Sequence, residues 1–413
     1  MGSTRPATSV TRSTQRGAMT AEPAWVCAGL PAISGRLREE QRDFVVVERL
    51  AYELDGEGTH SFLRVRKTGL SSFEAVRRLA RALGRREREV GYAGLKDRHA
   101  VTEQWLSIEH LDQSKLSDLE IPGLELLEVT RHRNKLKMGH LRGNRFEIRV
   151  RGAAAGDGER AMAMLQRLAE RGLPNAFGAQ RFGHGGVTPR LGQALLTGEF
   201  PRFFQLWTAG EDALGEGPEA LLARGPGERM LRDGLMRWRE RGDAEWALRG
   251  VPKRFLSLCT AALQSEVFNE VLRRRLPELG ELLPGDIAFL HRNGACFAVE
   301  DAAAEQARAA SFEISPSGPQ PGPACLRATG QAGEIEDAVL EQFAVSHELF
   351  DVRDPWGQKG GRRALRVSLP PESLAAKELD DGGERCVELA FELGRGSFAT
   401  AVLAELLRDE ALR

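Results

Sequence analysis

Asp97 stands between two cations, Lys96 and Arg98, and is followed by His99. A carboxylate flanked by fixed cations stays ionised at pH 7, and an ionised aspartate can act as a nucleophile. The cations are also suited to phosphate. Gly91 and Gly94 lie just upstream, on a segment whose other residues suit a buried strand. Glycine there permits a tight turn or the close approach of another backbone or a ligand. Together these residues point to chemistry on a nucleic acid. The structural alternative is a charged turn between two strands, because ion pairs of this kind also occur without function.

The elements that would carry the loop can be read on both sides of it. Phe44–Leu50 and Ser61–Lys67 read as strands joined by a Gly/Asp turn, Asp55-Gly56-Glu57-Gly58. Ser71-x-x-Glu74 is a capping box. Phe73, Val76, Leu79, Ala80 and Leu83 then recur at helical spacing, and Gly84 closes the helix. Residues 88–95 and 103–109 read as strands flanking the Asp97 loop. In Asn144–Arg151, Phe146, Ile148 and Val150 alternate with charged residues, the pattern of a half-buried strand. An amphipathic helix over 157–172 follows. Further helices are expected at 188–197, 229–240, 254–275 and 334–345, and strands near 362–369 and 386–393. Ser397 reads as the N-cap of a helix over 398–408. The Ser/Pro/Gly run at 315–323 reads as punctuation that ends a second domain begun near Pro174.

The 413 residues suffice for two domains. No apolar run approaches the ~18–20 residues of a membrane span, and the N-terminus lacks a signal-peptide core. A cytoplasmic protein without membrane attachment is expected. The five cysteines are scattered and form no CxxC, so neither a disulfide frame nor a zinc site is expected. The net charge of −1 hides an asymmetry: residues 1–151 carry a balance of +7, and a basic half suits a phosphate backbone. Residues 1–21 hold no acidic residue and no apolar periodicity. They are expected to form a disordered tail, with Met19 a candidate start.

The Gly91–Trp105 block is accompanied by three others. Asp43-Phe44-Val45-Val46-Val47-Glu48 lies upstream. Pro174-Asn175-Ala176-Phe177-Gly178-Ala179-Gln180-Arg181-Phe182-Gly183 lies downstream, and Gly396-Ser397-Phe398-Ala399-Thr400 lies near the C-terminus. In this order the blocks resemble the signature of the tRNA pseudouridine synthase D (TruD) family over most of residues 33–413, most weakly over 205–250 and 275–330. The resemblance implies an α+β fold. A pseudouridine synthase catalytic domain with a largely antiparallel sheet would be interrupted by an inserted α+β TRUD domain. The chain pattern fits catalytic parts at 22–173 and 330–413 and an insert at 174–329.

The resemblance further implies conversion of uridine to pseudouridine, at position 13 in the D-arm of tRNA, without metal or organic cofactor and with a monomer expected. Asp97 matches the catalytic position, and Phe44, Asn144 and Phe398 match positions at the substrate. Arg38 matches a usually basic position, suited to pair with Asp97 or hold a phosphate. The structural alternatives are core packing for the two phenylalanines, a turn for Asn144 and a solvated face for Arg38. Other pseudouridine synthase families usually keep a tyrosine beside the aspartate. Here the only tyrosines are Tyr52 and Tyr92, so Phe398 would take that place and the C5 proton would pass to Asp97 or water.

For RNA contact the candidates are Lys96 and Arg98, with the cluster Arg131, Arg133, Lys135, Lys137, Arg142, Arg145, Arg149 and Arg151, which faces only Glu147 within its own segment. Such contacts give affinity and salt dependence rather than sequence choice. The run Phe182-Gly183-His184-Gly185-Gly186 lacks the spacing of a nucleotide-binding loop and is expected to be a structural turn. The Arg/Glu/Gly-rich region 205–250 would either lengthen the RNA contact or form a mobile excursion. Two rivals remain: an RNA-binding protein of the same fold without catalysis, and a hydrolase using Asp97 and His99.

Overall fold

A computed structural model describes residues 25–116, 119–352, 358–409 and 412. The tail over 1–21 and the start at Met19 lie outside the described residues, apart from the expectations stated above.

In chain order the first elements are β1 (Phe44–Leu50), β2 (His60–Thr68), α1 (Ser72–Ala82), β3 (Val101–Glu109), β4 (Leu124–His132), β5 (Leu141–Arg151) and α2 (Asp157–Arg171). There follow α3 (Thr188–Leu196), α4 (Phe200–Ala209), α5 (Arg229–Arg241), α6 (Lys253–Arg275), β6 (Ile287–Leu290), β7 (Cys296–Ala298) and β8 (Ile314–Gln320). The chain ends with α7 (Gly330–Gln342), β9 (Gly361–Ala364), β10 (Ala375–Asp381), β11 (Glu384–Gly394) and α8 (Ala399–Leu407).

The larger sheet runs β10-β11-β5-β1-β3-β2-β4, with the short strands Arg36–Leu37 and Gly91–Tyr92 at its sides. Neighbours along this path are antiparallel except β1 and β3, which pair in parallel through Val45↔Val101 and Val47↔Glu103. The class is α+β. Period-two patterning sends Phe146, Ile148 and Val150 of β5 to the face covered by α2 and α8. There they join Val387, Leu389 and Phe391 of β11, Met164, Leu165 and Leu168, and Val402, Leu403 and Leu406. Each such side chain contributes roughly 1.5–3 kcal/mol on leaving water.

The capping box is formed: Ser71 Oγ accepts from Glu74 N at 3.2 Å, and Glu74 Oε2 accepts from Ser71 N at 2.9 Å. Val76, Leu79 and Ala80 of α1 then pack on Leu63, Val65, Leu106 and Ile108 of β2 and β3. This fixes α1 directly beside the Asp97 loop.

Three local expectations are corrected. Within 88–95 only Gly91–Tyr92 is strand, preceded by a single 3₁₀ turn at Glu87–Glu89. Ser397 is not the cap of α8. Phe398 occupies the N-cap position with extended backbone, and the helix starts at Ala399. The run expected as punctuation is β8, buried through Pro319 and central in a second sheet of order β7-β6-β8-β9. Its serines are satisfied by distant partners: Ser315 Oγ accepts from Arg366 Nε at 3.2 Å, and Ser317 Oγ donates to Ile287 O at 2.5 Å.

The 205–250 region is no loose excursion. Within it and just before it, Leu191, Phe203, Phe204, Leu235 and Trp238 of α3, α4 and α5 build a hydrophobic core of their own. Phe182–Gly186 is a structural turn, closed by Thr188 N donating to Phe182 O at 3.1 Å.

Candidate active site

The Asp97 loop is stitched to the connection between β2 and α1. Lys67 Nζ donates to Asp97 O at 2.6 Å and to Leu70 O at 2.7 Å. Lys96 N donates to Ser72 Oγ at 2.8 Å, and Arg98 Nε to Gly69 O at 3.2 Å. Gln104 Nε2 holds Gly94 O at 3.1 Å, while Gln104 Oε1 accepts from Ser72 Oγ at 3.0 Å. Gly91 is required by close approach, since a Cβ there would strike the Leu136 carbonyl and Ser107 Oγ.

On this held loop the Asp97 side chain stays 45% exposed. Arg38 Nη1 lies 3.7 Å from Asp97 Oδ2, and the same guanidinium sits 4.6 Å from the centroid of the Phe44 ring. Arg38 has φ 59°, in the left-handed region. Such backbone costs about 1–3 kcal/mol and persists where the surroundings impose it. An exposed ion pair is worth little stability, so the contact orients the carboxylate rather than holding the fold. Phe44 itself is buried, edge-on to Phe146 at 6.2 Å.

Below the loop lies a second cluster. Glu48 of β1 pairs in register with Asn144 of β5. Lys96 Nζ reaches both, at 3.0 Å from Glu48 Oε1 and 2.8 Å from Asn144 Oδ1. Glu48 Oε2 also accepts from Trp105 N at 3.0 Å. Burial pushes the Glu48 carboxyl up, against the pull of Lys96 and of the Trp105 N–H. The ammonium of Lys96, expected on the RNA-facing surface, is turned inward. The Asn144 amide nitrogen has no partner among the described residues. His99 meets Asp97 through its backbone, His99 N donating to Asp97 Oδ1 at 3.1 Å. The hydrolase reading needs an imidazole contact instead.

Phe398 stands apart from this cluster, just past the end of β11, and no contact joins its ring to Asp97, Arg38, Phe44 or Asn144 among the described residues. β11 pairs with β5 so that Leu393 faces Asn144 and Gly394 faces Gly143. Gly143 allows this, because a Cβ there would collide with the Leu393 carbonyl. Beyond the strand end Phe398 is 61% exposed, so core packing is excluded for it. It lines a cavity of about 300 Å³ with Asn175, Phe177, Phe182, Glu266 and Asn269. The Asn175–Gly183 block builds one wall: Phe177 N donates to Asn269 Oδ1 and Asn269 Nδ2 donates to Phe177 O, both at 2.9 Å.

The basic cluster of 131–151 divides. Arg151 forms a buried double hydrogen bond to Asp43, Nε to Oδ2 and Nη2 to Oδ1, each 2.8 Å. Arg149 is paired with Asp381 at 3.0 Å and Glu388 at 3.1 Å. Arg133 meets Asp55 and Glu57, and Lys135 Nζ donates to Arg88 O. Arg145 meets Glu147 at 3.2 Å and lies on the strand face opposite Asn144. Arg131, Lys137 and Arg142 are exposed with no ion pair among the described residues. Arg142, of the same strand parity as Asn144, enters a cleft of about 630 Å³ whose lining includes Arg292, Arg363 and Arg395. Those three come from segments far from Arg142 in sequence, so no spacing in the sequence joined them to it. Arg395 N donates to Arg142 O at 3.1 Å, which brings the two arginines together.

No helix is long and apolar enough to cross a membrane among the described residues.

The same arrangement of chain is found in known proteins. A model of the tRNA pseudouridine synthase D (TruD) family matches residues 22–406. The tRNA pseudouridine synthase D of Geobacter metallireducens is 40% identical over 405 residues, covering 94% of this chain and 99% of that protein. The protein of the same name from Anaeromyxobacter dehalogenans strain 2CP-C is 39% identical over 389 residues, covering 94% and 97%. A crystal structure from Methanosarcina mazei, described as a candidate TruD, has a TM-score of 0.83 at 26% identity, covering 94% of this chain and 96% of that one. The fold, the order of the motifs and these similarities agree, and the chain belongs to the tRNA pseudouridine synthase D (TruD) family of isomerases.

Proposed function

We propose that the protein isomerises a uridine of tRNA to pseudouridine, at position 13 in the D-arm, with Asp97 as the nucleophile. The observation that carries this reading is an open Asp97 carboxylate on a backbone held from below by buried Lys67 and faced by Arg38. In the reaction the N1–C1′ bond breaks, the base turns, and a C5–C1′ bond forms. A proton leaves C5 and N1 gains one, so no oxidant and no cofactor enters the balance. Covalent capture by Asp97 divides the conversion into two easier steps.

A base inside folded RNA must leave its stack first. The exposed ring of Phe398 is suited to hold it by stacking, and the Asn144 amide is suited to its polar edge. Phe44 lies beneath Arg38 and seats that guanidinium. Lys96 acts from below, through Asn144, while Arg98, Arg131, Lys137 and Arg142 remain the cations suited to phosphate. The cleft of Arg142, Arg292, Arg363 and Arg395 extends this basic surface.

The domain layout belongs to the same proposal: catalytic parts at 22–173 and 330–413 around an insert at 174–329. Because β9 completes the sheet of β6, β7 and β8, the return from the insert runs on to about residue 364.

Incubation with an unmodified tRNA transcript tests the reading. Pseudouridine-specific labelling followed by primer extension should give one new stop, immediately 3′ to position 13. A stop elsewhere overturns the position. Bound tRNA with no pseudouridine favours the non-catalytic RNA-binding alternative.

A further inference from the structure

We propose that Lys67 is a positioning residue for the isomerisation: its buried ammonium fixes the Asp97 carbonyl and thereby the direction in which the nucleophile's side chain leaves the backbone. The inference rests on Asp97 being the nucleophile.

Lys67 lies near the end of β2 and is fully buried. Its sheet neighbours are uncharged, Thr102 on β3 and Leu124 on β4. Two of its three donors are used on backbone carbonyls of two different loops, Leu70 O before α1 and Asp97 O. Burying an ammonium is costly unless it is well bonded, and an apolar side chain would fill the same space more cheaply. What the ammonium adds is a tie across a gap that no strand pairing closes. Two other ties from the Asp97 loop, Arg98 to Gly69 and Lys96 to Ser72, end on the same connection. Of these, only the Lys67 bond acts on the nucleophile's own peptide group.

The charged groups around Lys67 are Asp97 and Glu74, which favour its protonated form, and Lys96, which opposes it, while Arg98 binds the adjoining Gly69 carbonyl. Burial dominates and pulls the Lys67 ammonium down to about 8. Below that pH the charge-assisted bond is present, and above it the amine is a weaker donor. The nucleophile's support therefore weakens as the pH rises through about 8.

The test compares wild type with K67M and K67R on unmodified tRNA. The measurements are melting temperature, tRNA affinity and single-turnover rate from pH 7 to 9. For K67M the expected result is unchanged tRNA affinity with a rate lower by about 10²-fold, the scale of a misplaced reacting group. Wild type should lose rate through the upper half of the pH range. K67R keeps its charge, so its profile should stay flat whatever its absolute rate. A K67M protein that melts like wild type and isomerises within two-fold of it overturns the inference. So does a wild-type rate that is flat across the range, a comparison that stands even where a variant fails to fold. If wild type forms no pseudouridine at all, the proposed function falls, and this inference with it. If wild type is active and K67M is too, only this inference falls.

Discussion

Glu48 and Lys96 form a buried ion pair directly beneath the loop that carries Asp97, 3.0 Å between Oε1 and Nζ. The side chain adjacent to the nucleophile thus turns into the protein. A buried pair is not a net source of stability, but removing one partner strands the other, at a cost of about 3–5 kcal/mol. K96M should lower the unfolding free energy by that amount, read from urea titration, and replacing Glu48 with Leu in the same protein should recover part of it. A K96M protein as stable as wild type would put the ammonium in solvent and return Lys96 to the RNA-facing surface.

Arg151 and Asp43 give a pH-dependent counterpart. Burial works to raise the Asp43 carboxyl, but the Arg151 hydrogen bonds and charge outweigh it, so it sits below the ordinary carboxylate value. A depressed carboxylate contributes stability above its unfolded value, lost as the pH falls through the folded one. R151M should therefore destabilise most at neutral pH, where it leaves the buried Asp43 carboxylate without its partner. The gap to wild type should close in strong acid, where Asp43 is protonated in both proteins. Urea titrations from pH 7 downwards through the acid range check this, the gap narrowing only once the pH has fallen below the ordinary carboxylate range. An equal deficit across the range would mean that packing rather than charge is lost.

Much of the site was legible because its signals are local. β1 spans Phe44–Leu50 as expected, and the Ser71–Glu74 box starts α1. Asp97, Arg38 and Phe44 meet, and Asn144 joins them through Lys96. What was misread depends on distant partners. The Pro/Gly/Ser content of β8 argues for a turn, yet strands on both sides and Arg366 accept it as a buried strand. Ser397 resembles a cap by type, but the chain is still leaving β11 there and helical backbone begins two residues later. The cluster at 131–151 looked almost uniformly free. Two of its cations, Arg149 and Arg151, are in fact paired with Asp43, Asp381 and Glu388, far away in sequence.

Phe398 is exposed before any substrate arrives. F398A should leave the melting temperature within a degree or two. Loss of one base–aromatic stack, about 1–3 kcal/mol, should slow single turnover by roughly 5- to 150-fold. F398Y retains the flat face and should keep substantial activity. If F398A unfolds readily but isomerises normally when folded, the ring is a structural anchor.

Arg142 is expected to contact phosphate and Arg149 is not. R142A should reduce the slope of log affinity against log salt by roughly one unit or somewhat less. R149A, which removes a cation already paired with two carboxylates, should leave the slope unchanged. Filter-binding titrations with tRNA over a range of salt distinguish the two. A slope that answers to Arg149 and not Arg142 would move the RNA to the opposite face of β5.

The central claim is that Asp97 performs the covalent step while other groups bind the RNA. Single turnover of D97A on unmodified tRNA, measured beside its tRNA affinity, tests this most directly. The expected result is no detectable pseudouridine with affinity within a few-fold of wild type. Isomerisation at a rate near wild type would contradict it and remove Asp97 from the chemistry.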